Sequence, residues 1–137
     1  MQHHPPPLIL ARHDVVRLRR LLDRPGIRDT EAAEMLEEEI ERAEVVEPEA
    51  LPPNVVSMNS RVRLLDVVKN QEFELTLVYP NEGGEEGKVS ILAPLGSALL
   101  GLAVGHEIEW PLPSGQSTRI RVLEILHQPE AAGDYES

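Results

Sequence analysis

At 137 residues the chain is long enough for one domain, or for one small domain with an appendage. It contains no cysteine, which excludes disulfides and thiolate metal sites, and its net charge of −11 disfavours unaided binding to nucleic acid. Its apolar runs are too short to cross a membrane and its first residues lack the pattern of a secretory signal, so we expect a cytoplasmic protein with no membrane contact.

The first part of the chain predicts two helices. Residues 1–11 are a proline-containing lead-in that we expect to be disordered. A first helix is predicted to begin near His13 and to end at Pro25, and Thr30 is the predicted N-cap of the second helix. The predicted result is an antiparallel helical hairpin over residues 12–47, packed as a short coiled coil. Apolar residues recur at helical spacing in both segments: Val15, Leu18 and Leu22, then Ala33, Leu36, Ile40 and Ala43.

The two predicted helices carry opposite charges. Residues 12–24 hold five arginines against two aspartates, whereas residues 29–50 hold ten acidic residues against one arginine. This asymmetry favours pairing of the helices. We expect the glutamates at 37–39 to form a solvated helix face and not a metal site.

The second part of the chain predicts a sheet. Residues 48–54 contain three prolines and predict a linker, after which the apolar period changes to two. The alternation slips between Val122 and Leu123, where a bulge is expected. The pattern predicts a strongly twisted antiparallel sheet of about five strands, located near residues 61–67, 73–79, 89–91, 108–112 and 118–126.

Residues 93–105 combine one proline, three glycines and a short apolar run. Pro94 must end the preceding strand because it cannot donate to a ladder. Ser97 is a predicted N-cap for a one-turn helix, Gly101 suits a left-handed cap after it, and Gly105 permits a turn into the next strand.

The string P-L-G-x-A-L-L-G-x-x-V-G in this segment resembles the signature loop of the C-terminal domain of the Gre transcript-cleavage factors. Flanking strings at 58–62 and 128–135 resemble the Gre-related Rnk subfamily, whose name means regulator of nucleoside diphosphate kinase. The resemblance implies an α+β fold in which the hairpin precedes an FKBP-like twisted antiparallel sheet with one short helix. The implied FKBP-like domain spans residues 55–128, and a C-terminal tail follows at 129–137.

The resemblance also implies a partner, RNA polymerase, held at the rim of its secondary channel, with DNA or RNA reached only through the polymerase. The residues expected to contact the polymerase are Ala93, Pro94, Leu95, Gly96 and Ser97.

The tip of the hairpin departs from the Gre pattern. A Gre tip carries the acidic string G-D-L-x-E-N-A-E-Y and helps to hold a catalytic metal, but no such string is present here. The carboxylates in the tip region are Asp23, Asp29 and Glu31, and two interleaved arginines would compete for them. The first helix is predicted to have about 9–11 residues and the second about 16, roughly 15 and 24 Å, which is too short for a Gre hairpin.

We therefore expect a binding protein that docks on the polymerase, competes with Gre factors and does not stimulate transcript cleavage. No catalytic residue, cofactor or metal is expected, and His13, His106 and His127 are interpreted as surface residues. An effect on nucleoside diphosphate kinase would be indirect. The alternatives are direct regulation of that kinase and prolyl isomerase activity, the second disfavoured because four aromatic residues cannot line such a pocket.

Overall fold

The structure, a computed structural model, describes residues 8–82, 84–111 and 114–135. The described residues form an α+β fold, and none of its helices is long and apolar enough to span a membrane. In chain order the elements are β1 (Ile9–Ala11), α1 (Arg12–Leu22), α2 (Glu31–Glu41), β2 (Glu44–Val46), β3 (Arg61–Asp66), β4 (Gln71–Val78), β5 (Lys88–Ser90), α3 (Pro94–Leu99), β6 (Glu107–Pro111) and β7 (Ser117–His127).

The two predicted N-terminal helices are present, and the predicted cap of the second is confirmed. The Oγ1 of Thr30 accepts a hydrogen bond from the backbone N–H of Ala33 at 3.2 Å. However, α2 ends at Glu41 and has 11 residues, so the prediction of a helix of about 16 residues is wrong.

The residues after α2 form a strand that the sequence pattern did not predict. β2 pairs in parallel with β1, with Leu10 opposite Val45. The expectation of a disordered lead-in is wrong for residues 8–11, because Leu8 and Leu10 are buried; residues 1–7 lie outside the described residues. Parallel strands need a long connection, and here the pair of helices supplies it.

The main sheet has the strand order β5-β4-β3-β7-β6. The predicted antiparallel arrangement is wrong at one edge, where β5 runs parallel to β4. After β4 the chain returns to the level of Thr76, so β5 begins with Lys88 opposite Thr76 and runs in the same direction as β4. The predicted bulge is confirmed. Arg63 pairs with Glu124 and Leu64 with Val122, so Leu123 is the extra residue of β7.

One apolar core joins the helices to the sheet. Leu18 and Leu36 from the helices lie in the same buried cluster as Leu64, Leu77 and other sheet residues. A smaller cluster contains Leu51, which falls within the predicted linker at 48–54. The division into hairpin, linker and globular domain stays a prediction, but the hairpin shares its core with the sheet.

The glycine-rich segment forms α3, with Pro94 in its first turn and Ala93 as N-cap. The predicted cap at Ser97 is wrong, since Ser97 lies inside the helix and its Oγ donates to the carbonyl oxygen of Pro94 at 3.1 Å. The predicted left-handed conformation of Gly101 is confirmed by its φ of +83°. A Cβ on Gly96 would overlap the backbone carbonyl of Ser90, so this position requires glycine for space.

We expect Gly96→Ala to lower the free energy of unfolding by about 1–3 kcal/mol or more, because the clash is with backbone, which cannot rotate away. The measurement is urea unfolding followed by circular dichroism. Gly26→Ala is the matched control for backbone strain without a clash: its φ is +86° and a Cβ there meets nothing within 4 Å, so it should cost about 1–2 kcal/mol and less than Gly96→Ala does. Equal stability of the Gly96→Ala variant and the unmodified protein would contradict the steric argument.

Candidate functional site

The five loop residues predicted to contact a partner are not equally accessible. Pro94 is exposed, Ala93 and Leu95 are half-buried, and Gly96 and Ser97 are buried. Leu95 also packs against the main core. Pro94 is therefore the residue of this loop that offers most of its surface to another molecule.

Pro94 lies on the rim of a groove of about 290 Å³ between α2 and the α3 segment. On the α2 side the groove is lined by Glu31, Ala32 and Met35, and Ser97 lines the opposite side with Pro94. Met35 is 48% exposed, a large value for an apolar residue of this size. The structure thus brings Glu31, predicted at the hairpin tip, together with two residues of the predicted binding loop.

The other two tip carboxylates lie elsewhere. Asp23 lines a separate groove with Arg19, Arg20 and Arg28. Asp29 is 96% exposed in its side chain, and its Oδ2 lies 3.9 Å from the Nε of Arg28. Within the described part of the chain, the three tip carboxylates do not come together as a ligand cluster.

A second site, which was not predicted, is a buried polar cluster between α1, the loop before β3 and the C-terminal segment. Asp14 and Glu130 are 1% and 5% exposed. One oxygen of each carboxylate has a defined donor: the N–H of Met58 donates to Asp14 Oδ2 at 3.2 Å, and the Oγ of Ser57 donates to Glu130 Oε1 at 2.6 Å.

The other carboxylate oxygens face His13. The Nε2 of His13 lies 2.9 Å from Glu130 Oε2 and 3.5 Å from Asp14 Oδ1. Both distances are short enough for ion pairs, but the geometry does not meet the criteria for a hydrogen bond. All three atoms are buried and have no hydrogen-bond partner among the described residues. The cluster therefore holds buried polar atoms of two carboxylates and one imidazole that no described residue satisfies by hydrogen bonding.

The electrostatics of the cluster follow from its burial. Desolvation raises the pKa of Asp14 to about 7, and the nearby Glu130 adds to the rise, whereas the Met58 N–H and the Arg17 guanidinium oppose it. Burial likewise raises the pKa of Tyr79 to about 12, with a further contribution from Asp14. The carboxyl of Asp14 thus retains its proton to a much higher pH than an exposed aspartate does.

The sequence pattern did not indicate this cluster, and the interpretation of His13 as a surface residue is wrong because only 16% of its side chain is exposed. The segment predicted as a C-terminal tail supplies Glu130. One signal was present: Asp14 lies four residues before Leu18 and so falls on the apolar face of α1. Nothing in the sequence pairs that face with Glu130.

We expect the contribution of Asp14 to the free energy of unfolding to fall as pH rises from about 4 to 7, because the folded-state pKa of Asp14 lies above its ordinary value of 3.8. The folded state then binds more protons than the unfolded state, and the contribution of this group changes by about 4 kcal/mol across the window. Asp14→Asn removes the titration, so its stability relative to the unmodified protein should improve between pH 5 and pH 8. Urea unfolding in the presence of a chelator measures this, and parallel pH profiles for both proteins would contradict it.

Comparison with known proteins identifies two matching family models. The C-terminal model of the transcription elongation factors GreA/GreB matches residues 51–127, and the Rnk N-terminus model matches residues 6–46. The first match includes the α3 segment and the second includes both helices of the hairpin.

Individual relatives agree with these matches. The chain is 42% identical over 131 residues to the "Regulator of nucleoside diphosphate kinase" of Escherichia coli K12, covering 95% of this chain and 96% of that protein. It is 38% identical over 89 residues to the "Transcription elongation factor GreA" of Nitratiruptor, covering 64% of this chain and 54% of that protein.

A solved structure, the "Prokaryotic transcription elongation factor GreA/GreB from Nitrosomonas europaea", has a TM-score of 0.76 and 47% identity to this chain. The match covers 89% of this chain and 99% of that one. The chain combines a Rnk N-terminus with a GreA/GreB C-terminal domain and belongs to the GreA/GreB family of transcription elongation factors, in its Rnk branch.

Proposed function

We propose that this protein binds RNA polymerase at the rim of the secondary channel, competes there with Gre factors and does not stimulate transcript cleavage. Family membership supports the polymerase as partner. We also propose that the domain at 55–128 has an FKBP-like fold, that the two helices of the hairpin pack as a short coiled coil, and that the protein acts in the cytoplasm. It assigns no enzymatic activity to the chain.

The observation that carries the proposal is the length of the hairpin. Both α1 and α2 have 11 residues, which corresponds to about 16 Å of helix each. The apolar faces of both helices are buried in the common core, so little of either helix is free to project away from the sheet. A carboxylate must approach a divalent metal to within roughly 2.0–2.6 Å to bind it, so a short arm cannot act on a distant catalytic centre.

The chemistry of the tip supports the same conclusion. Asp29 and its neighbour Arg28 form an exposed pair, and Asp23 lies among arginines. Glu31 is turned into the groove with Pro94. Three carboxylates divided in this way do not provide the convergent oxygen ligands that a catalytic Mg²⁺ needs.

We propose the groove between α2 and α3 as the docking surface. Pro94 and Met35 give it an apolar rim, and Glu31 adds a charge at one end. Apolar residues on a rigid element beside a concave surface are the usual anchors of an interface. We propose that a segment of the polymerase rim occupies this groove.

We expect Pro94→Asp and Met35→Glu each to weaken binding to purified RNA polymerase at least tenfold, because each places a charge where an apolar contact forms. The matched control is Val68→Asp, which changes a 65% exposed apolar residue outside the groove and should leave both affinity and melting temperature unchanged. Surface plasmon resonance measures the affinities. Unaltered binding by both groove variants would rule out the groove as the docking surface.

The same measurement separates the proposed function from direct regulation of nucleoside diphosphate kinase, the function that the name of the Escherichia coli relative suggests. Immobilised protein should retain polymerase and not the purified kinase. Retention of the kinase alone would make this chain a direct regulator and our proposal wrong.

We expect this protein to leave transcripts in stalled elongation complexes at full length, since its hairpin is too short to deliver a carboxylate to the catalytic centre. Added in excess, it should slow the cleavage stimulated by a Gre factor by displacing that factor. Gel electrophoresis of labelled transcripts measures both effects, with the Pro94→Asp variant as the non-competing control. Transcript shortening by this chain alone, or Gre-stimulated cleavage that persists at saturation, would contradict the proposal.

A further inference from the structure

The buried cluster of His13, Asp14 and Glu130 has three unused donor atoms that converge. The second oxygen of each carboxylate is already satisfied by Met58 N–H or by Ser57 Oγ–H. The remaining atoms, Asp14 Oδ1, Glu130 Oε2 and His13 Nε2, are buried and lack hydrogen-bond partners among the described residues. Each of the three residues offers one ligand atom that lies within 4.8 Å of those of the other two.

The two distances from the His13 Nε2 to the carboxylate oxygens match those between ligands of one metal ion. Ligands at about 2.0–2.2 Å from a metal, in tetrahedral or octahedral geometry, are separated from one another by roughly 2.9–3.5 Å. The Nε2 of His13 is 2.9 Å from the Glu130 oxygen and 3.5 Å from the Asp14 oxygen. Both separations from His13 therefore already fall in the range expected for ligands that share one ion.

The charge balance of the cluster also calls for a cation. Two carboxylates share an interior site, where the desolvation cost of their charges is high unless a positive charge compensates. The other titratable or charged groups that face Asp14 are His13, Arg17 and Tyr79. A divalent ion would neutralise both carboxylates while leaving His13 neutral, which is the form that binds metals.

We propose that His13, Asp14 and Glu130 form a binding site for a divalent transition-metal ion, with Zn²⁺ as the preferred occupant. One imidazole nitrogen and two carboxylate oxygens suit Zn²⁺, whereas Mg²⁺ and Ca²⁺ prefer oxygen ligands alone. The side chain of His13 is 16% exposed, so it is the ligand of the three that lies nearest to solvent.

The hydrogen bonds around the carboxylates would support the metal site. The Oγ of Ser57 holds Glu130 in place, and it also lies 2.9 Å from the Oγ of Ser60. Such contacts to a ligand orient it and commonly change metal affinity 10–100-fold when removed. The ion would fasten the C-terminal segment to the first turn of α1, so its role would be structural and independent of the polymerase proposal.

The test is isothermal titration of the chelator-stripped full chain with Zn²⁺, together with melting curves. His3 and His4 are adjacent and could bind zinc themselves, so every protein is also prepared with His3→Gln and His4→Gln. We expect one Zn²⁺ per chain, a higher melting temperature with zinc and at least tenfold weaker binding of Mg²⁺.

Asp14→Asn, Glu130→Gln and His13→Gln should each weaken zinc binding at least 100-fold, whereas the matched control His127→Gln, at the exposed end of β7, should bind as the parent protein does. Circular dichroism establishes that each variant is folded. X-ray absorption at the zinc edge of the parent protein gives a readout that does not depend on the variants, and should show a shell of nitrogen and oxygen ligands with the multiple-scattering signal of one imidazole. The proposal is overturned if the stripped protein binds no Zn²⁺, if the folded ligand variants bind it unchanged, or if the absorption spectrum excludes histidine.

Discussion

The packing of the N-terminal helices onto the sheet is the interaction on which the rest of the structure depends. Leu18 and Leu36 are fully buried in the cluster that also contains Leu64 and Leu77 from the sheet. Burial of each such side chain contributes about 1.5–3 kcal/mol, so the helices lie on the sheet and do not extend into solvent as a free arm. This packing sets the position of α2 beside α3 and of the first turn of α1 beside the C-terminal segment.

The two candidate sites are direct consequences of that packing. The start of α2 meets α3 and forms the groove with Met35 and Pro94 on its rim. The apolar face of α1 carries Asp14 into the interior, where Met58 and Glu130 surround it. The cost of burying this carboxylate is offset in part by the Met58 N–H, by Arg17 and by the proton that the raised pKa retains.

In functional terms, the hairpin of this chain is an integral part of the domain surface. A carboxylate at the start of α2, Glu31, lines the groove between α2 and α3 and does not belong to a projecting acidic tip. Helices of 11 residues have few turns beyond those already buried. The hairpin is therefore too short to extend away from the domain, and the same helices form part of the domain's surface. A regulator built in this way can occupy a binding surface without delivering chemistry beyond it.

The sequence by itself determined the features that depend on residues close together in the chain, such as a helix cap and a strand bulge. Thr30 caps α2 because its side chain accepts from an N–H three residues later, and the slip in alternation at Leu123 marks the bulge of β7. The P-L-G string identified the family, and the matched models confirm it. The sequence also indicated both helices by their apolar spacing, although not where α2 ends.

Only the tertiary structure decided the features that depend on residues far apart in the chain. β1 and β2 are three residues each and are stabilised by pairing across the whole helical segment, so neither has a distinct pattern of its own. The parallel direction of β5 is set by the path of its connection. The cluster of Asp14 and Glu130 joins the two ends of the chain, and the burial that gives it its chemistry exists only once the core has formed, because the low dielectric and the convergent donors come from packing and not from any single segment.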